Sequence, residues 1–200
     1  MFESLCGAES EVLKREDYLS DFYRTFEGNI ERFDKLERGQ SFQEPGYESW
    51  EAFHRGDWRE SLSLLESSRP ALVDYYDGMR RRGLTTRRVR VVESPVTPYI
   101  QWEMHVLRLR AELGEEIRIV DAGGLREFEK ESPVPELVIL GYSTLYEILY
   151  NATGIGAGAR RFRNRDLIDE VAAAFESLYR QGEEFFEFFD HTISPLAPPT

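Results

Sequence analysis

The sequence holds one cysteine, Cys6, and three histidines in 200 residues. A single thiol cannot form an internal disulfide, so the fold must be held by its core. His54, His105 and His191 stand in unrelated contexts, without cysteine or carboxylate at ligand spacing. That argues against a structural or catalytic transition metal, and no cofactor is expected. No apolar run approaches the roughly 20 residues that cross a bilayer. The first residues are acidic where a signal peptide would be basic and then apolar, so a cytoplasmic chain is expected. Basic charge is also short, with 25 Lys and Arg against 37 Asp and Glu and a formal net charge of −12. The average field therefore repels a phosphate backbone, and general nucleic-acid binding is not expected.

Core-forming residues are plentiful. With 41% hydrophobic and 13% aromatic residues the chain is too rich in apolar side chains to remain disordered, and it is long enough for one generous domain. The organising stretch runs from Arg87 to Asp121. Arg87 to Val92 and Glu116 to Asp121 alternate charged with β-branched residues, and a helix-length segment lies between them, which is a βαβ pattern. Thr97 and Pro98 mark that helix's start, and Gly114 its end. Tyr99, Trp102, Val106, Leu109 and Leu113 make its core stripe, which puts Gln101, His105, Arg108 and Glu112 on the water side.

Before this unit, Leu19, Phe22, Tyr23, Phe26, Ile30 and Phe33 recur at helical spacing, and Gly28 is a candidate break. A loop at 40–47 and further helices to Ser68 complete a helical region predicted over 1–69. Ala52-Phe53 with Gly56-Asp57-Trp58 looks like half of a tetratricopeptide repeat, but no second copy follows about 34 residues on. His54, between Trp50 and Trp58, reads as a packing residue. After the unit, Leu137 to Leu140 is apolar throughout, as in a strand buried on both faces, and Leu145 to Tyr150 reads as its hairpin neighbour. Gly154 to Arg160 lacks the lysine and the context of a phosphate-binding loop and is read as a flexible connection. Ile168, Val171, Phe175 and Leu178 predict a closing helix. The expected fold is α+β (or α/β), with a small mixed sheet at 70–190 and a disordered tail at 191–200.

Six arginines fall between Arg80 and Arg90 in an otherwise acidic chain. Arg80, Arg81 and Arg82 complement a helix C-terminus. Arg88 and Arg90 emerge together on one strand face and repel, so an anion must lie over them, either internal (Glu103, Glu116 or Asp121) or external. Arg88, Arg90, Tyr99, Glu103 and Arg118 are the candidate binding residues. Two readings follow. One is a non-catalytic regulatory or sensory module for an anionic small molecule or an acidic protein partner. The other is an enzyme with a carboxylate and arginine site, in which Tyr99 and Glu103 lie beyond the carboxyl end of the first strand of the unit.

The run Arg88-Val89-Arg90-Val91-Val92, then Pro98-Tyr99 and Glu103, Glu116-Ile117-Arg118, and Tyr150 with Gly154, resembles an uncharacterised actinobacterial family known only as a domain of unknown function. The likeness covers about Trp50 to Phe189. It implies a regulatory or sensory accessory role, because members tend to be encoded near Xre-type helix-turn-helix regulators and small acidic partner proteins. Where that family carries an acidic pair after its central strand, this chain has Gly141-Tyr142. The order of elements also looks like half of a phospholipase-D-like fold, a likeness of fold alone. No histidine here has a lysine two residues on, so that phosphodiesterase mechanism is excluded.

Overall fold

The computed structural model describes residues 2–130 and 132–199. The chain begins with strand β1 (Glu11–Lys14), helix α1 (Arg15–Phe26) and strand β2 (Arg32–Glu37). Three helices follow, α2 (Glu48–His54), α3 (Trp58–Ser67) and α4 (Arg69–Arg81). The βαβ unit is β3 (Thr85–Val92), α5 (Pro98–Glu112) and β4 (Glu116–Asp121). Then come β5 (Leu137–Leu140), β6 (Thr144–Tyr150), β7 (Gly156–Phe162), α6 (Arg165–Gln181), β8 (Glu183–Glu184) and α7 (Phe185–Phe188). A π-turn over Phe189–Ile193 continues from α7.

All eight strands join one mixed sheet in the order β1-β7-β6-β5-β2-β3-β4-β8. Its centre, β2-β3-β4, is parallel, with Lys35 opposite Arg88 and Arg88 opposite Ile117, and the remaining pairs are antiparallel. As its pattern predicts, apolar β5 is interior, paired on both edges. Alternation in β3 divides the two faces. Val89 and Val91 join Leu36, Ile139 and Phe162 under Ile168, Val171 and Phe175 of α6. Thr86, Arg88, Arg90 and Val92 point the other way, toward α5 and the N-terminal helices, so the polar residues of β3 are enclosed by helix as well.

Three expectations about the course of the chain are corrected. The 1–69 region is not separately helical, because β1 and β2 are strands of the same sheet. The helical stripe ends at Phe26. Phe33 belongs to a strand paired along one edge with β3 and along the other with β5, and that tertiary pairing outweighs a local helical pattern. The 154–160 run is not a flexible loop but mostly strand β7. Gly158 (φ +143°) lies opposite Lys14, and a Cβ there would stand 2.1 Å from the Leu13 carbonyl oxygen, so the glycine permits the close approach of β1. Gly158→Ala is expected to cost about 1–3 kcal/mol by overpacking and to strip amide-exchange protection from β1 before the rest of the sheet, which site-resolved hydrogen exchange reads directly.

The α5 helix keeps only half of its expected water side, Arg108 and Glu112 being exposed. Gln101 is buried and His105 half-buried, because Phe185, Phe189 and Ile193 pack over that face from the C-terminal segment. For the same reason the described part of the tail, 191–199, is not free. Ile193 is 1% exposed and the Gln101 side-chain amide donates to the Ala197 carbonyl at 2.8 Å, the apolar residues at 185, 189 and 193 forming one stripe that seats on α5. No helix among the described residues is long and apolar enough to cross a membrane.

Candidate functional site

Between the cluster under α5 and the one under α1 and α4, the helices do not close over the sheet. They leave a half-open chamber of about 400 Å³. Its floor is charged: Lys35 and Glu37 from β2 and Arg88 from β3. Tyr18 and Tyr23 of α1, Tyr75 and Tyr76 of α4, Tyr47 ahead of α2, and Tyr99 and Trp102 of α5 form the walls. Glu44, Glu103, Arg110 and Glu115 complete the polar lining.

Most of these charges satisfy one another. The Arg88 guanidinium donates to Glu115 at 2.6 Å and also bonds Glu37, and Lys35 Nζ lies 2.6 Å from Glu37. The Tyr76 hydroxyl donates to Glu115 at 2.5 Å. Burial pushes the Glu37 and Glu115 carboxyls up, but Arg88 beside both, with Lys35 near Glu37 and Arg110 near Glu115, more than reverses it and holds each below the usual carboxylate range. Glu103 goes the other way. It receives one bond from Arg90 at 2.7 Å, and burial outweighs that pair, so its carboxyl is pushed up. Glu44 is also pushed up by burial and, among the described residues, its side chain accepts only from the Tyr99 hydroxyl, at 3.3 Å. Tyr99 itself is driven well above its ordinary value by burial and by Glu103, so it stays protonated.

Arg110 stands apart. Its closest carboxylate oxygen, on Glu115, is 3.9 Å away, and among the described residues its guanidinium makes no hydrogen bond. The side chain keeps 33% of its surface, which opens on the chamber.

Of the five candidate residues, the structure brings Arg88, Tyr99 and Glu103 together in the chamber wall. Arg90 lies behind them, fully buried, donating to Glu103 and to the Val91, Gly39 and Glu37 carbonyls at 2.9, 2.6 and 3.3 Å. Arg118 is on the opposite sheet face, over the Tyr179 ring at 5.7 Å. The counter-ions of Arg88 and Arg90 are internal: Glu103 among those expected, with Glu37 and Glu115 in place of Glu116 and Asp121. Glu116 instead accepts from Tyr179, and Asp121 from the Gly123 amide. The arginine run is thus split three ways, with Arg80 to Arg82 at the end of α4 and Arg87 paired with Asp34 and Glu176 beneath α6.

Sequence reasoning missed Lys35, Glu37, Glu44, Arg110 and Glu115. Arg110 carried a usable signal, lying seven residues after Glu103 and so on the same helix face. Glu44 sits in a loop and carried none. A larger hollow of about 660 Å³ beside the start of α6 has less to offer, because its Arg161 is taken up by Asp21 at 2.7 Å and by Glu11, and its Asn164 caps the helix.

Two titrating groups lie outside the chamber lining. Glu136 Oε1 accepts from the Arg38 and Gly39 amides at 2.8 and 2.5 Å, anchoring the loop that leads to Glu44 and Tyr47, while its Oε2 is buried with no partner among the described residues. Burial, with Glu37 nearby, pushes its carboxyl up to about 7. A raised acid is protonated in the fold when it is already ionised in the unfolded chain, so its contribution to stability declines as pH rises from the ordinary glutamate value to about 7. Glu136→Gln keeps the acceptor and removes the titration. Between pH 5 and 7.5 it is expected to lose less stability than wild type, by on the order of 2–3 kcal/mol, as urea titrations at the two pH values will show. His105, wedged between Trp58 and Phe189, is held down to about 4 by burial; as a depressed base it acts in the opposite sense, losing stability as pH falls from the ordinary histidine value toward 4.

The fold and site together define an α+β protein in which one eight-stranded mixed sheet carries a charged, tyrosine-walled chamber under its helices. The chain belongs to the family described as Domain of unknown function (DUF6879), which matches residues 20–190 and so takes in every chamber residue except Tyr18. Comparison with curated proteins gives no match.

Proposed function

We propose that the protein is a non-catalytic regulatory or sensory module that binds a small anionic ligand in the chamber through Arg110. The observation that carries this reading is the contrast between Arg110 and its neighbours. The other guanidinium of the lining, Arg88, and Arg90 behind it are hydrogen-bonded to carboxylate, whereas Arg110 presents its donors to an aromatic-walled space without a bonded acceptor among the described residues. A small molecule is favoured over an acidic protein surface because Arg88 and Arg90 are 5% and 0% exposed, out of reach of any docked partner. A volume of about 400 Å³ suits a compact ligand. Binding is favoured over catalysis because Glu37, Glu103 and Glu115 are tied to arginine and Tyr99 keeps its proton. The regulatory role, beside an Xre-type regulator, rests on the family resemblance, and a cytoplasmic location on the single cysteine and the acidic first residues.

The test uses 4-hydroxybenzoate as an aromatic carboxylate probe, titrated while following tryptophan fluorescence, since Trp102 lines the chamber. Binding is expected to saturate, to weaken in added salt, and to weaken at least about tenfold in Arg110→Met, the loss of one hydrogen bond to a charged group. Equal affinity in the variant defeats the proposal.

A further inference from the structure

Arg110 has a counterpart of opposite sign. Of the carboxylates lining the chamber, Glu37, Glu103 and Glu115 each have a cation within 2.7 Å, and Glu44 has none among the described residues. Among the described residues its side chain accepts one bond, the 3.3 Å contact from Tyr99. The chamber therefore holds one cation whose nearest carboxylate, Glu115 at 3.9 Å, is already bonded to Arg88, and one carboxylate with no cation in bonding range among the described residues, and the two have not collapsed onto each other. Their placement explains why. Glu44 is held at the Tyr99 end of α5 and Arg110 is near its C-terminal end, eleven residues further on, which at the helical rise is about 16 Å along the axis. Inward-reaching side chains shorten that span. Tyr47 also lines the chamber.

We infer that the chamber takes an elongated zwitterion, a peptide of two or three residues, with its ammonium group on Glu44 and its carboxylate on Arg110. This rests on the anion-binding reading of Arg110 and adds a second charged end to it. A free α-amino acid carries its two charges too close together to reach both groups, whereas three extended residues span about 10 Å. The tyrosine walls, with Trp102, offer faces and hydroxyls to an amide backbone without demanding particular side chains. Only the peptide's terminal charges need be recognised.

Triglycine, N-acetyltriglycine and triglycine amide separate the two ends in the wild-type protein by calorimetric titration. Triglycine is expected to bind, and each capped form to bind at least tenfold more weakly. In Glu44→Gln the penalty for acetylation should vanish while that for amidation remains, and in Arg110→Met the reverse. If triglycine does not bind, or if acetylation makes no difference, the zwitterion inference is overturned. Should 4-hydroxybenzoate still depend on Arg110, the anion reading survives that loss; if the probe is also indifferent to Arg110, both fall together.

Discussion

Replacing Arg88 by methionine is expected to destabilise the fold by about 3–5 kcal/mol, the usual consequence of removing one member of a buried charge network. Arg88 is the single cation bonded to both Glu37 and Glu115, and all three side chains are within 7% of complete burial. Methionine fills the space but leaves two carboxylates that the arginine had held ionised. The sign of the pH dependence follows. In the wild type both carboxyls are depressed, so their contribution is present above the ordinary glutamate value and is lost as pH falls through their lower folded values. In the variant they are protonated already at higher pH. The difference between the two proteins should therefore be largest near neutrality and shrink on acidification, as urea unfolding at pH 7 and pH 4 will register. Adding Glu37→Gln and Glu115→Gln to Arg88→Met should recover part of the loss. A single variant within about 1 kcal/mol of wild type contradicts the network, since that is the range of exposed pairs.

That buried network also marks the limit of what the sequence could tell. The βαβ unit was legible because alternation in β3 and β4 and the Thr97-Pro98 start of α5 are local signals with local causes. The buried hairpin of β5 and β6 was legible for the same reason. Strand β2 was not, because the aromatic spacing from Phe22 to Phe33 mimics a helix. Its strand identity comes from partners 53 and about 100 residues away, Arg88 and Val138 opposite Lys35. In the site, the shared face of Arg88 and Arg90 and their need of an anion followed from period-two geometry. Which anions answer depended on α5 crossing β3, a tertiary fact that selects Glu103 and brings Glu115 in from the start of β4. Glu44, supplied by a loop tethered through Glu136 and Gln40, has no periodic signature at all.

Arg90 provides the second large effect, with a different internal balance. Its guanidinium is 0% exposed and is divided between one carboxylate and three backbone carbonyls, of Val91, Glu37 and Gly39. Arg90→Met is expected to lose about 3–5 kcal/mol, and the loop from Arg38 to Tyr47 should open first, because the 2.6 Å bond to Gly39 is one of its tethers. The Glu103 partner behaves unlike Glu37 and Glu115. Its carboxyl is raised, so burial already outweighs attraction to Arg90, and the pair contributes little beyond neutralising itself. Removing both members should therefore be far milder than removing one. Arg90→Met with Glu103→Leu is expected to regain all but about 1–3 kcal/mol, the remainder being the Gly39 carbonyl left without its donor. Thermal and urea unfolding of the two single variants and the double variant give the coupling energy directly. A double variant as unstable as Arg90→Met alone would show that the carbonyl bonds, and not the orphaned Glu103, carry the loss, and that the arginine is held in place chiefly to fasten the loop over the chamber.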